Sequence, residues 1–143
     1  MKSIVIDLNI LMDFLFKREG HENAAEILRL CACGDIKGFV CAHEITTLYY
    51  FVDKSIADKR KIKKVLAGIM NYFAIIEINE KLLNKALGSS ISDFEDAVIE
   101  ASASDRKAEY ILTGNIKDFK KSIIQAITPE ELLRILNSNN SRS

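Results

Sequence analysis

The sequence predicts an α/β domain: three α/β/α layers around a central, mostly parallel sheet of four to five strands. Three observations predict it. Short apolar runs rich in β-branched residues have the pattern of strands buried on both faces; the first is SIVI at Ser3–Ile6. Amphipathic stretches with helical spacing lie between such runs. Strands and helices alternate along the chain, which is the order of βαβ units. A chain of 143 residues, 48% of them apolar, can bury one core without staples.

The elements follow in order. After SIVI, Leu8–Phe16 has helical spacing through Leu8, Leu11, Met12, Leu15 and Phe16. His21–Cys33 is amphipathic, with Ala24, Ala25, Ile27, Leu28 and Cys31 on its apolar side. Gly34 and Gly38 close that stretch, and Phe39-Val40 begins a second strand. Ala42–Val52 reads as helix. Ser55–Met70 sets Ile62, Val65, Leu66, Ile69 and Met70 on one side and five Lys/Arg on the other. Ala74–Ile78 is a third strand, and Glu80–Leu87 a helix ended by Gly88. Ser92 is the N-cap of a helix running to about Ser104, with Glu95 as its capping-box partner. Glu109–Leu112 is a fourth strand and Gln125–Ile127 a short fifth. Thr128 caps a last helix, with Pro129 at its first position. Neither a repeat nor a linker interrupts this order. Residues 1–136 form one domain and Asn137–Ser143 a flexible polar tail.

Lys+Arg and Asp+Glu both number 20, so no global basic field draws the chain onto nucleic acid. Binding of RNA or DNA must use a local patch or metal ions. Three cysteines, Cys31, Cys33 and Cys41, without a signal peptide point to a reducing compartment. The C-x-C spacing is too tight for the usual zinc knuckle, and all three read as small buried hydrophobes. The N-terminal apolar run carries Asp7, Asn9 and Asp13, so it is neither a signal h-region nor a membrane span. The expectation is a soluble, cytoplasmic protein.

In parallel sheets the working site lies beyond the carboxyl ends of the strands. Asp7 immediately follows SIVI, and Asn9 is two residues on. Glu44 lies just after Phe39-Val40, at a helix start. Asp93 and Asp96 share a face of the Ser92 helix. Asn115 and Asp118 follow the EYIL strand. Four distant chain regions thus deliver acidic groups to one edge. Clustered carboxylates raise one another's pKa, and a divalent cation relieves the repulsion. Oxygen ligands without His or Cys suit Mg²⁺ or Mn²⁺. Such ions orient water and stabilise charge on a phosphoryl group, the chemistry of phosphodiester hydrolysis. Plainer roles compete at some positions: Asp93 beside a helix dipole, Glu44 in a capping box on Cys41, Asp118 in a turn. Asp7 is the hardest to explain so, because a carboxylate between a buried strand and an apolar helix costs stability unless satisfied. His43 reads as partner-bound or solvated rather than catalytic.

The runs IVIDLNILMDFL, AHEITTLYYF, SDFEDAVIEASA and ILTGNIKDF followed by ITPEELL cover nearly the whole chain. In this order they resemble the PIN-domain ribonucleases, and within them the VapC-like toxins of toxin–antitoxin modules. The resemblance implies a PIN-like fold and Mg²⁺- or Mn²⁺-dependent hydrolysis of RNA, with Asp7, Asp96 and Asp118 as metal acids. The family's remaining acid is a glutamate on the helix after the second strand. It falls on Glu44 or, nearer its usual place, on Thr47, one turn away. Asn9, Asp93 and Asn115 would orient ligands or water, and Thr113 would contact a phosphate. The chain departs from the family pattern at Leu8, where Thr is frequent, and at Gly114, where Arg is frequent.

The resemblance further implies a homodimer and an antitoxin lying across the acidic cleft. Leu48–Phe51 and Ser55–Met70 carry more large apolar side chains than one small sheet buries, which fits a dimer. Two sites side by side would share a groove lined by Lys54, Lys59, Arg60 and Lys63. Other phosphate chemistries with an early Asp fit less well. A haloacid-dehalogenase-type phosphatase needs a second Asp where Asn9 stands, and a response-regulator receiver needs acids where Ile4-Val5-Ile6 stand. The alternative is the same fold kept as a binding or oligomerisation module with a degenerate metal site.

Overall fold

The computed structural model describes residues 2–140. Its strands are β1 (Lys2–Ile6), β2 (Ile36–Cys41), β3 (Ala74–Ile76), β4 (Tyr110–Leu112) and β5 (Ala126–Ile127). Its α-helices are α1 (Leu8–Leu15), α2 (His21–Ala32), α3 (Ala42–Ser55), α4 (Lys59–Tyr72), α5 (Glu80–Leu87), α6 (Phe94–Asp105) and α7 (Pro129–Asn140). A 3-10 turn spans Ile116–Phe119. The strands pair in the order β3-β2-β1-β4-β5, every pair parallel. The α/β/α architecture expected from the sequence is the one observed.

The pleat explains the two faces. Successive side chains of a strand point to opposite sides. Ile4, Ile6, Ile36, Val40, Leu112 and Ile127 belong to one core cluster, packed with residues of α1, α2, α3, α4 and α7. Val5, Phe39, Cys41, Ile76 and Ile111 belong to the other, with α5, α6 and Phe119 of the 3-10 turn. The central strand is buried on both sides, which is why its sequence is a continuous apolar run rather than an alternating one.

Several boundaries differ from the sequence expectation, each for a local reason. Gly38 does not close the second helix; it lies inside β2. A Cβ there would stand 2.7 Å from the Phe73 ring and 2.8 Å from Cys31 Sγ, so glycine is what lets these side chains lie on the strand. The helix expected over Ser55–Met70 begins later. α3 continues to Ser55, Ile56 is extended, and Asp58 caps α4 by accepting from the Arg60 amide at 2.9 Å. Ser92 does not cap α6. Asp93 does, accepting from the Asp96 amide at 3.0 Å, and so the Ser92–Glu95 capping box is absent. Helix α7 runs through Asn137–Asn140, into the stretch expected as tail, and residues 141–143 lie outside the described residues. Cys31 and Cys41 are buried, but Cys33 is exposed, because it caps the end of α2 beyond the apolar stripe.

Leu48, Val52, Ile62 and Ile69 turn inward, while Tyr50, Phe51 and Met70 stay exposed. The apolar excess noted in this region is therefore partly core and partly surface. Among the described residues no helix is long and apolar enough to cross a membrane.

Candidate active site

β1 is followed in sequence by its neighbour β2, while its other neighbour β4 belongs to the second half of the chain. The strand order reverses between β1 and β4, and such sheets hold their sites beyond the carboxyl ends of the strands at that reversal. Asp7 is the first residue after β1 and Thr113 the first after β4. The Asp7 amide donates to Leu112 O at 2.9 Å, and the Thr113 hydroxyl donates to Asp7 Oδ2 at 2.8 Å. Thr113 Oγ1 in turn accepts from the Asn115 amide at 3.0 Å. Thr113 thus ties the Asp7 carboxylate to the loop that carries the next polar residues, and both side chains are buried.

Asp7 begins α1 without capping it through its side chain. Burial pushes its carboxyl above the ordinary value. The Thr113 hydroxyl and the amides of Asn9 and Leu8 pull it back, and the Asp118 charge adds to the rise.

Glu44 stands on the first turn of α3, carried there by β2, and is only 3% exposed. Its Oε2 accepts from the Leu8 amide at the start of α1. It does not close a capping box onto Cys41. The positive end of the α1 dipole favours a carboxylate at that position. Its other oxygen, Oε1, is buried without a hydrogen-bond partner. Complete burial, then the Asp7 charge, hold the Glu44 carboxyl well above the usual range, with Glu95 and Asp96 adding to it. Thr47, one turn on, spends its hydroxyl on His43 O at 3.2 Å. Of the two positions left open by the sequence, Glu44 is the one set against Asp7.

Asp96 lies on the first turn of α6, half-buried, its position fixed by the Asp93 cap. Its carboxyl is raised to about 7 by burial, then by Asp93, Asp7, Asp118 and Glu95. Asp118 sits on the 3-10 turn, exposed, with Oδ2 accepting from Asn115 Nδ2 at 2.9 Å. Asn9 is exposed on the first turn of α1. Asp7, Glu44, Asp96 and Asp118, separated along the chain, therefore share one electrostatic neighbourhood. Both ring nitrogens of His43 are buried rather than solvated; burial lowers its pKa, and the charge and backbone of Glu95 pull it back.

The donor chemistry fits a hard divalent cation: carboxylate oxygens, mutual repulsion, and one buried oxygen lacking a partner. The spacing is open, however. Among the described residues no three His, Cys, Asp or Glu side chains form a closed cation cage. Beside the acids lies a cavity of about 240 Å³, lined by Asp93, Asp96 and Asp118 and also by Lys117, Lys120 and Lys121. Sequence reading passed over these lysines, because the basic residues it weighed were those of α3 and α4. A larger cavity of about 380 Å³ between α1, α2 and α4 is apolar and holds no carboxylate.

The family model for the PIN domain matches residues 3–117, a span that runs from β1 to the 3-10 turn. The chain belongs to the PIN-domain family. Its structural neighbours include a chain of a toxin–antitoxin complex from Klebsiella pneumoniae, 25% identical, with a TM-score of 0.67, covering 89% of this chain and 98% of that one. A chain of VapBC2 from Rickettsia felis, determined bound to a promoter DNA fragment, is 20% identical with a TM-score of 0.65 over 88% and 98% of the two chains. The sarcin–ricin-loop-cleaving toxin VapC20 of Mycobacterium tuberculosis is 14% identical with a TM-score of 0.59 over 76% and 87%. No curated protein matches the sequence. A PIN domain, as the motifs indicated, is thus the fold and family observed.

Proposed function

We propose that this PIN domain is a Mg²⁺- or Mn²⁺-dependent endoribonuclease, the toxin of a toxin–antitoxin pair. The observation that carries this reading is the meeting of Asp7, Glu44, Asp96 and Asp118 beyond the carboxyl ends of β1 and β4, where Asp118 raises the carboxyls of Asp7 and Asp96, and Asp7 and Asp96 raise that of Glu44. Asp7, Asp96 and Asp118 would hold the cation. When bound, such an ion would neutralise the carboxylates, activate water and stabilise charge on the phosphoryl oxygens. Burial and the Asp7 charge raise the Glu44 carboxyl, and its Oε2 accepts from the Leu8 amide. The Leu8 contact fixes Glu44 against Asp7. Thr113 orients Asp7, and Asn115 orients Asp118. Asn9 is within the same first turn of α1 and available to water or substrate.

Support for an antitoxin partner comes from the neighbours that were determined as toxin–antitoxin assemblies. Support for a homodimer comes from Tyr50, Phe51, Met70 and Tyr72, large side chains left exposed on α3 and α4.

The open spacing of the acids favours a second reading, a PIN-fold binding module without catalysis. Asp7→Asn separates the two. On the nuclease reading the variant loses Mn²⁺-dependent RNA cleavage and specific Mn²⁺ binding, while its melting temperature in chelator is unchanged or higher. Wild-type protein with no specific Mn²⁺ isotherm and no cleavage would leave the binding module.

A further inference from the structure

The lysine-lined cavity beside the acids is built from two loops, and one buried glutamate fastens both. Lys117, Lys120 and Lys121 come from the 3-10 turn and the residues after it, Ser90 and Ser92 from the loop between α5 and α6. Glu100, one turn beyond Asp96 on α6, is 6% exposed. Its Oε1 accepts from the Ser89 hydroxyl at 2.6 Å, and its Oε2 accepts from the Ile123 amide at 2.9 Å. Ser89 Oγ also accepts from the Ile91 amide at 3.0 Å. A buried carboxylate is costly unless satisfied, and here it is satisfied by both loops at once.

The three lysines are exposed, and none of them takes part in an ion pair although carboxylates line the same cavity. The ion pairs among the described residues are Lys2–Glu109, Glu26–Arg29, Asp105–Arg106 and Glu130–Arg134. A second cavity of about 200 Å³ adjoins the first. It shares Ser90 and Lys121 with it, and adds Lys85 and Glu100. A groove with unpaired ammonium groups thus leads away from the acids on the 3-10-turn side.

We propose that this groove is the subsite for the RNA phosphates flanking the scissile bond, and that Glu100 is the positioning residue that holds its lysine-bearing wall in place. The proposal rests on the nuclease reading and adds to it the route of the strand. It also answers how a chain of zero net charge grips a polyanion: the positive charge is local and sits beside the cleft. Lys117, Lys120 and Lys121 contact backbone phosphates as point charges. Ser90 and Ser92 supply hydroxyls at the same wall.

The test uses full-length protein and a fluorescently labelled single-stranded RNA. Binding is followed by anisotropy in chelator across a salt series, and cleavage kinetics are followed with Mn²⁺. Lys120→Ala with Lys121→Ala should weaken RNA binding about tenfold and lower the slope of log affinity against log salt by about 1.4, roughly 0.7 per lost phosphate contact. Mn²⁺ affinity should stay as in the wild type. Glu100→Ala should raise KM with little change in kcat, and lower the salt slope as the lysine variant does. Glu100→Gln keeps an acceptor for Ile123 and a partner for Ser89, and should restore KM.

RNA affinity and salt slope unmoved in the lysine variant would overturn the subsite, even with cleavage intact. A Glu100→Ala protein that melts earlier yet binds RNA as the wild type does, below its melting temperature, would leave Glu100 a structural fastener only and overturn its positioning role. Failure of the wild type to cleave RNA is a different result and overturns the nuclease reading itself.

Discussion

Asp96 is the residue whose chemistry is set most visibly by its neighbours. Burial and the surrounding acids push its carboxyl up to about 7 from an ordinary 3.8. Between those values the folded chain holds a proton that the unfolded chain has released. The stability this contributes is complete below the lower value and is lost as pH rises through the upper one. In chelator the melting temperature should therefore fall between about pH 4 and pH 7, and Asp96→Asn should flatten that fall. Mn²⁺ competes with the same proton, so Mn²⁺ affinity should rise across the same window. Melts and isotherms at matched pH values check both; a melting curve independent of pH would contradict the assignment. Thr113 is the second residue to test. Thr113→Val removes the donor to Asp7 and the acceptor for the Asn115 amide, both buried or partly buried. The cost should be about 1–3 kcal/mol in denaturant unfolding. The pH at which Mn²⁺ binds half-maximally should move up, because Thr113 lowers the Asp7 pKa.

At the scale of the element, α6 shows how one helix start can serve structure and site together. Asp93 caps the helix, and it is also the charged neighbour that most raises the Asp96 pKa. Asp93→Asn keeps a good cap and removes the charge. Its melting temperature should stay close to the wild type, and the pH midpoint of Mn²⁺ binding should shift down. Asp93→Ala loses the cap as well and should cost about 1 kcal/mol. An Asn variant with an unmoved midpoint would show that Asp93 acts on α6 alone. This helix was found in the sequence but started one residue early at its cap, since Ser92 and Asp93 are both good caps and only backbone geometry chooses between them. The boundary between α3 and α4 was misplaced for a similar reason. The apolar spacing of Ile62, Val65, Leu66 and Ile69 is helical. The break at Ile56 is an extended residue followed by a capping Asp58, a weak signal without Gly or Pro.

At the scale of the whole molecule, the surface left over by folding points to association. Tyr50 and Tyr72 are each 57% exposed and Met70 52%, on adjacent helices α3 and α4. Sedimentation at micromolar concentration should give a dimer, and Tyr50→Lys with Met70→Lys should give a monomer with an unchanged melting temperature. A wild type that sediments as a monomer would remove the dimer. The fold class was legible because each sheet strand is either a continuous apolar run or a short one between helices, and burial on both faces permits nothing else. Asp7 stood out in the sequence because a carboxylate at the end of a buried strand has few plain explanations, whereas Asp118 had a turn role in competition, and it and Asp96 were singled out as metal acids by the family resemblance. The choice between Glu44 and Thr47 was not legible. They are one helical turn apart, and only the packing of α3 against the start of α1 sets Glu44 on the Leu8 amide and Thr47 on its own helix. Glu100 and the lysines around Lys120 were equally silent in the sequence. A glutamate on a helix and a lysine in a turn are ordinary residues until tertiary contacts bury one and gather the others around a cavity. Local pattern determines which elements form and which face they bury; which side chains meet across loops depends on distances that no one-dimensional pattern contains.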